Sequence, residues 1–307
     1  MNKGGALNPE SILIAGATGL IGKQLSALLR QRGHDVAHLS RHAGTGTVRT
    51  FLWDPDENRI DTAALAGRSL IINLSGASIG GKRWTKAYKK EILESRTKST
   101  AVLREAIKVR GEEVHTYISA SGVSIYGNHD GSRSFRETDP HAHDFLARVC
   151  VAWEEEADTV ESPRIRVVKL RTGPVLSGAG GILDEFARPV RWFVGAPLGT
   201  GEQYISWIHI TDICDMYAFA VENRNLAGTF NAVAPAPVTN RELTRGIAHA
   251  LKRPLLLPSV PEFVLRLILG EKASLAVEGC KVSADKIIGT GFAFKFDTLA
   301  KAMNDIF

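Results

Sequence analysis

An α/β protein with a parallel, doubly wound sheet and a small C-terminal unit is what three features of this 307-residue sequence predict. Apolar runs of strand length at 11–15, 35–39, 70–74, 116–120 and 166–171 alternate with helical patterns at 22–31, 84–108 and 144–160. Such alternation places the strands in one parallel sheet covered by helices on both faces. The turn Gly16-Ala17-Thr18-Gly19-Leu20-Ile21-Gly22 joins the first strand directly to the first helix. After Val175 the rhythm breaks into Gly- and Pro-rich segments at 178–181 and 195–201, which read as loops.

Taken in order, the first strand and its turn carry the strongest signal. One glycine permits the tight turn, one lets backbone N–H groups approach phosphates, and one lets the helix lie close on the sheet, with the helix N-terminus attracting the anion. The turn therefore predicts a dinucleotide pyrophosphate site on a Rossmann-type sheet. A β-branched residue at Gly19 would fill the space the pyrophosphate needs and could not take a positive φ. The second strand ends at Ser40-Arg41-His42, where NAD-binding chains offer an acidic residue to the ribose 2′-hydroxyl about 20 residues beyond the turn. A hydroxyl and a guanidinium there predict NADP(H), whose 2′-phosphate a cation can hold.

A short strand follows at 48–53, ended by Asp54-Pro55. The fourth apolar run ends in Asn73-Leu74-Ser75-Gly76, small residues where a cofactor crosses the carboxyl ends of the strands. The next ends in Ser119-Ala-Ser121-Gly-Val-Ser124-Ile-Tyr126-Gly127, and Asp144 is placed to cap the helix after it. Thr239-Asn-Arg-Glu242 reads as a capping box for a helix through Leu251, and a Pro-bounded apolar segment follows at 263–269. The expected division is a mobile leader at 1–10, a nucleotide domain at 11–233 and a small domain at 234–307. Ligand sites favour such domain interfaces, so the C-terminal unit is expected to wall a substrate cleft. The 195–201 loop, with Trp207 behind it, would be its movable edge.

Composition narrows the partners. A formal net charge of +5 could point to nucleic acid, but the densest basic group, Lys82, Arg83, Lys86, Lys89 and Lys90, is interleaved with Trp84 and Tyr88, and modest basicity suits an anionic cofactor equally well. Cys150, Cys214 and Cys280 are too scattered for a disulfide framework or a zinc site, which favours the reducing cytoplasm. His141-x-His143-Asp144 lacks a third spaced ligand, so no metal is expected. No signal-peptide core and no apolar run of the ~18 residues of a membrane span is present, and no membrane partner is expected. The oligomeric state is not legible.

The glycine turn, the Asn73–Gly76 turn, Ser121 five residues before Tyr126-Gly127, Arg171-Thr-Gly-Pro174 and Trp207-Ile-His209-Ile-Thr-Asp212 together resemble an extended short-chain dehydrogenase/reductase of the nucleotide-sugar epimerase type. The segment from Asn73 to Trp84, the helix from Asp144 through Trp153-Glu154 and Glu278-Gly-Cys-Lys-Val282 are similar to an uncharacterised NADP-dependent subfamily with a distinctive C-terminal domain. The resemblance implies cofactor contacts from Gly16, Ala17, Thr18, Gly19, Leu20, Ile21 and Gly22, from Ser40 and Arg41, from Leu74 and Ser75, from Val175, and from Glu91 and Arg96 on the long helix. Those last two stand about 140° apart around a helix axis, so one ligand must straddle that face to meet both.

Members of the wider family carry Tyr-x-x-x-Lys on the helix after the serine strand, and the corresponding segment here, Phe145-Leu-Ala-Arg-Val149, has neither residue. Ser121 and Tyr126 are the catalytic candidates in its place, with Lys82 or Arg83 as further cations, while Asp212 is read as a helix cap more than a base. The expected function is an NADP(H)-dependent oxidoreductase or epimerase acting on a small carbonyl or sugar-like substrate, with Ser121 hydrogen-bonded to its oxygen. The alternative is a catalytically silent NADP(H)-binding sensor.

Overall fold

The computed structural model describes residues 9–44 and 46–307. Eight strands form the main sheet: β1 Ser11–Ala15, β2 Asp35–Ser40, β3 Thr50–Asp54, β4 Arg59–Ile60, β5 Leu70–Asn73, β6 Thr116–Gly122, β8 Arg166–Thr172 and β12 Gly228–Ala232, in the order β12-β8-β6-β5-β1-β2-β3-β4. Every neighbouring pair is parallel except β3 with β4. The chain winds from β1 outward through β2 and β3, then crosses to β5 on the other side of β1, so the strand order reverses between β1 and β5. Ligands of open α/β sheets bind at such a reversal, beyond the carboxyl ends of the strands.

The alternation that predicted the sheet also explains its two cores. Ile12 and Ile14 of β1 pack on one face with Leu25 and Leu29 of α1 (Leu20–Gln31) and Ile213 and Met216 of α5 (Ile210–Glu222). Leu13 and Ala15 pack on the other face with Val102 and Leu103 of α2 (Lys86–Arg110) and Ala157 of α3 (Phe145–Asp158). Both faces are dry, so β1 reads as an unbroken apolar run. Asp144 caps α3 by accepting from the Ala147 N–H at 3.0 Å, as the sequence predicts, and Thr85 caps α2 in the same way through Tyr88. The helix expected to begin at Trp84 thus begins at Lys86, because the threonine hydroxyl satisfies the first free N–H groups.

A third core draws on chain from both sides of α5 and β12. Leu176 of β9 (Val175–Leu176), Leu183 and Ala187 of α4 (Ile182–Arg191) and Trp207 pack with Leu243 and Ile247 of α6 (Asn240–Ala250) and Met303 of α10 (Leu299–Ile306). Short ladders tie this unit together: β9 with β11 (Ile208–His209), β10 (Tyr204–Ile205) with β13 (Val238–Thr239), and β7 (Ser134–Phe135) with β14 (Lys281–Val282). The 239–242 capping box forms in full at the start of α6. Then come α7 (Glu262–Leu269), α8 (Ser274–Val277) and α9 (Asp285–Gly289).

Residues 1–8 of the expected leader lie outside the described residues, and Glu10 corrects that expectation at its inner end. Glu10 is buried; it accepts from Ser69 at 2.6 Å and Arg224 at 2.8 Å, and its N–H donates to His34 Nδ1 at 3.1 Å. A carboxylate this well partnered anchors the chain.

Candidate functional site

The turn after β1 is held against the loop after β5. Gly16 has φ +81°, and a Cβ there would stand 2.8 Å from the Leu74 carbonyl carbon and oxygen. A Cβ on Gly22 would stand 2.3 Å from the Gly16 oxygen, so the start of α1 can approach the turn only because that residue is glycine. Gly19 differs from expectation: at φ −73° and ψ 175° it is extended and forms the N-cap of α1, so Gly16 supplies the positive φ. No side chain caps α1 and no acidic residue stands in its first turn. The partial positive charge of that helix end is left for an external anion.

Across the strand-order reversal, the Leu74 N–H donates to the Ala15 oxygen at 2.9 Å. Buried Asn73 donates to Ser99, Thr100 and the Tyr117 hydroxyl and accepts from the Ser75 N–H at 3.1 Å. This fixes Ser75, whose hydroxyl is buried with no partner among the described residues. Arg96 lies against the same loop, so close that a Cβ on Gly76 would be 2.9 Å from its guanidinium carbon. It donates to the Ile92 oxygen at 2.7 Å and stacks over Trp153 with 4.9 Å to the ring centroid. Burial lowers its pKa from the ordinary guanidinium value.

Glu91 is half exposed and lies 3.8 Å from Lys82, so it and Arg96 engage different neighbours. Val175 is paired with Ile208, and the loop after it returns over α1, where a Cβ on Gly181 would be 3.0 Å from Leu20. At the end of β2 the Ser40 hydroxyl accepts from the His42 N–H at 3.2 Å, and Arg41 is exposed. The glycine turn, Leu74, Ser75 and Arg96 thus lie together at the reversal between β1 and β5.

The hydroxyls of Ser121 and Tyr126, expected to face a substrate, turn inward instead. Ser121 donates to Glu154 at 2.6 Å. Tyr126 donates to the Asn231 side-chain oxygen at 2.7 Å and accepts from Arg171 at 2.8 Å. Arg171 also forms a two-pronged pair with Glu154 at 2.8 and 2.9 Å, with both side chains almost fully buried. Burial works against the Glu154 carboxylate, yet the hydrogen bond and charge of Arg171 hold its pKa below the ordinary value. Burial pushes the Tyr126 phenol up to about 12. At the end of β6 a Cβ on Gly122 would be 3.3 Å from the Cys150 sulfur, whose thiol burial also pushes up to about 12. Sequence reading missed Glu154 and Cys150, because one glutamate in a run of three and a thiol among apolar helix residues give no local sign of the strand end they meet.

Two further expectations change. His209, not Asp212, caps α5, with its Nδ1 accepting from the Thr211 N–H at 3.2 Å; Asp212 accepts from the Lys295 and Phe296 N–H groups at 2.8 and 3.0 Å. The 195–201 loop is stitched down: Gly199 N–H donates to Val260 O and Val260 N–H to Pro197 O, both at 2.8 Å, and Asn240 accepts from the Leu198 N–H at 2.8 Å. These bonds tie the expected movable edge to Val260 and Asn240 of the C-terminal unit. A further contact between the units lies at the loop before α2, where Lys272 donates to the Gly80 oxygen at 2.6 Å, Lys89 pairs with Glu271, and Arg83 lies beside Gly270.

A doubly wound parallel sheet, with a glycine turn aimed at its strand-order reversal and a second unit folded over the strand ends, defines a dinucleotide-binding protein of the extended Rossmann type. The chain belongs to the NAD dependent epimerase/dehydratase family, which it matches over residues 12–232, and residues 260–306 match a domain of unknown function, DUF1731. It is 37% identical to epimerase family protein Mb2239 of Mycobacterium bovis over 95% of this chain and 96% of that one. It is 35% identical to epimerase family protein YfhF of Bacillus subtilis, covering 96% and 97%. The crystal structure of human epimerase family protein SDR39U1 with NADPH superposes with a TM-score of 0.88 at 31% identity, covering 96% of this chain and 98% of that one.

Proposed function

We propose that this protein is an NADP(H)-dependent oxidoreductase or epimerase acting on a small carbonyl or sugar-like substrate. The observation that carries the reading is the cradle between β1 and β5. It combines Gly16, whose Cβ would collide with the opposite loop, Gly22, whose Cβ would collide with the turn itself, an uncapped helix end, and the buried hydroxyl of Ser75, which has no partner among the described residues. These features fit a dinucleotide pyrophosphate. The residues that hold it are Gly16 through Gly22, Leu74 and Ser75, with Ser40 and Arg41 at the 2′-phosphate, Val175 on the returning loop, and Glu91 and Arg96 on α2. The bound cofactor would supply hydride chemistry. The NADPH in the human SDR39U1 structure and the absence of an acidic residue at Ser40-Arg41-His42 both support the phosphorylated form.

In this reading Ser121 and Tyr126 act as positioning residues. Through Glu154, Arg171 and Asn231 they hold the ends of β6, β8 and β12, the floor on which a substrate rests beside the 234–307 unit. A second reading, a cofactor-binding sensor without turnover, is favoured by those same engaged hydroxyls and by α3, whose sequence contains neither tyrosine nor lysine. Three free buried cysteines suit a cytoplasmic protein.

Calorimetric titration with NADPH and NADH tests the cofactor assignment. Charge-assisted hydrogen bonds of about 1.5–3 kcal/mol predict that Arg41→Ala loses roughly ten- to hundredfold in NADPH affinity while NADH binding is unchanged. Equal wild-type affinities would overturn it. Oxidation of NADPH with any member of a carbonyl panel selects the enzyme, and tight binding without oxidation across the panel selects the sensor.

A further inference from the structure

Eight of the twelve large apolar side chains exposed among the described residues fall within 192–194 and 256–268. Trp192 is 76% exposed, Phe263 72% and Leu267 79%, with Leu256 and Ile268 close behind. On α7 only Leu265 is turned inward. The two stretches are neighbours: Leu198 and Val260 form a parallel bridge, and the Arg253 guanidinium lies 4.5 Å from the Phe193 ring centroid. An apolar face gathered in this way is a docking surface, whereas apolar side chains scattered singly are not.

The charges around it indicate what docks there. Arg245 and His249 stand one helical turn apart on the exposed side of α6, and Lys252 and Arg253 follow directly, all four exposed. Arg245, Lys252 and Arg253 make no ion pair among the described residues, unlike Arg188, Arg191 and Arg266, which are matched by Asp184 and Glu262. A group of unmatched cations that meets the apolar face through Arg253 and Phe193 complements a surface that is anionic above and apolar beneath. No helix among the described residues is long and apolar enough to cross a membrane, so such a chain would lie on the bilayer.

We infer that the face formed by residues 192–194, the end of α6 and α7 docks on an anionic phospholipid bilayer. Trp192, Phe263 and Leu267 enter the headgroup boundary, and Arg245, Lys252 and Arg253 meet the lipid phosphates.

Flotation of the full chain with phosphatidylcholine vesicles, with and without phosphatidylglycerol, tests this. The protein is expected to float with the phosphatidylglycerol vesicles, and to do so less as salt screens the cations. The variant Trp192→Ser/Phe263→Ser/Leu267→Ser should partition about tenfold more weakly or less, as should Lys252→Glu/Arg253→Glu. All five positions are exposed, so both variants should keep the wild-type thermal unfolding midpoint. The inference is overturned if wild type floats with neither vesicle, or if the variants float as well as wild type. It is equally overturned if light scattering shows a dimer that the apolar variant dissociates while no vesicle binds, since a second copy of the chain would then cover the face.

Discussion

Ser75 separates binding from folding at the scale of one atom. Its hydroxyl is buried with no partner among the described residues, so removing it breaks no hydrogen bond there, and Ser75→Ala should leave thermal stability within about 0.5 kcal/mol of wild type. If that oxygen meets the cofactor, the same variant loses about 0.5–1.5 kcal/mol of NADPH binding, roughly two- to tenfold in titration. Unchanged NADPH affinity would take Ser75 out of the site. Glu154 makes the opposite case. Glu154→Ala strands Arg171 in the core and should cost about 3–5 kcal/mol by denaturant unfolding. Its folded pKa is depressed below an unfolded value of about 4.3, so the stability it contributes is complete above that value and is lost as pH falls through the lower folded value. Unfolding followed from neutral pH downward should show a loss below about pH 4.3 that is smaller in Glu154→Gln. These residue assignments were legible unevenly. Arg41 and the glycines announce themselves by type and position, but which way Ser121 points depends on Glu154, 33 positions away, arriving beneath it.

At the scale of elements, the turn and α1 behave as one unit, and the observed backbone refines what its substitutions do. Gly19 is extended, a conformation valine adopts, and its Cβ would make a tight 3.3 Å contact with the Gly16 oxygen while filling the mouth of the cradle. Gly19→Val should therefore fold with a near-native circular dichroism spectrum and fail to bind NADPH. Gly22→Val is expected to destabilise the fold itself, since a Cβ would stand 2.3 Å from a backbone oxygen. If the two variants were equally stable, the close approach of α1 would not be what that glycine serves. Strand and helix positions were legible because both faces of the sheet are buried, which leaves continuous apolar runs bounded by polar caps. The positive φ falls on Gly16 and not on Gly19, because spacing identifies a turn without ordering its dihedral angles.

At the scale of the whole molecule, residues 176–207 share one core with the C-terminal unit, and two outlying sets of contacts add to it. The 195–201 loop is tied to Val260 and Asn240, and the Gly80–Lys89 segment reaches the 270–272 turn through Lys272, Glu271 and Arg83. Hydrogen exchange should then find the 195–201 amides protected already without ligand, and added NADPH should protect 16–22 and 74–76 most. Fast exchange throughout 195–201 that slows only with ligand would restore a moving lid. By itself the sequence determined the parallel sheet, the glycine turn at its reversal, the caps of α3 and α6 and the residue types suited to an anionic cofactor, because these depend on neighbours within a few positions. Tertiary structure alone decided that Ser121 and Tyr126 are locked into a buried ion network, that Asp212 holds the 295–296 backbone, and that residues 176–207 share a core with 234–306. Each of those depends on partners brought together from far along the chain, whose distances no local pattern records.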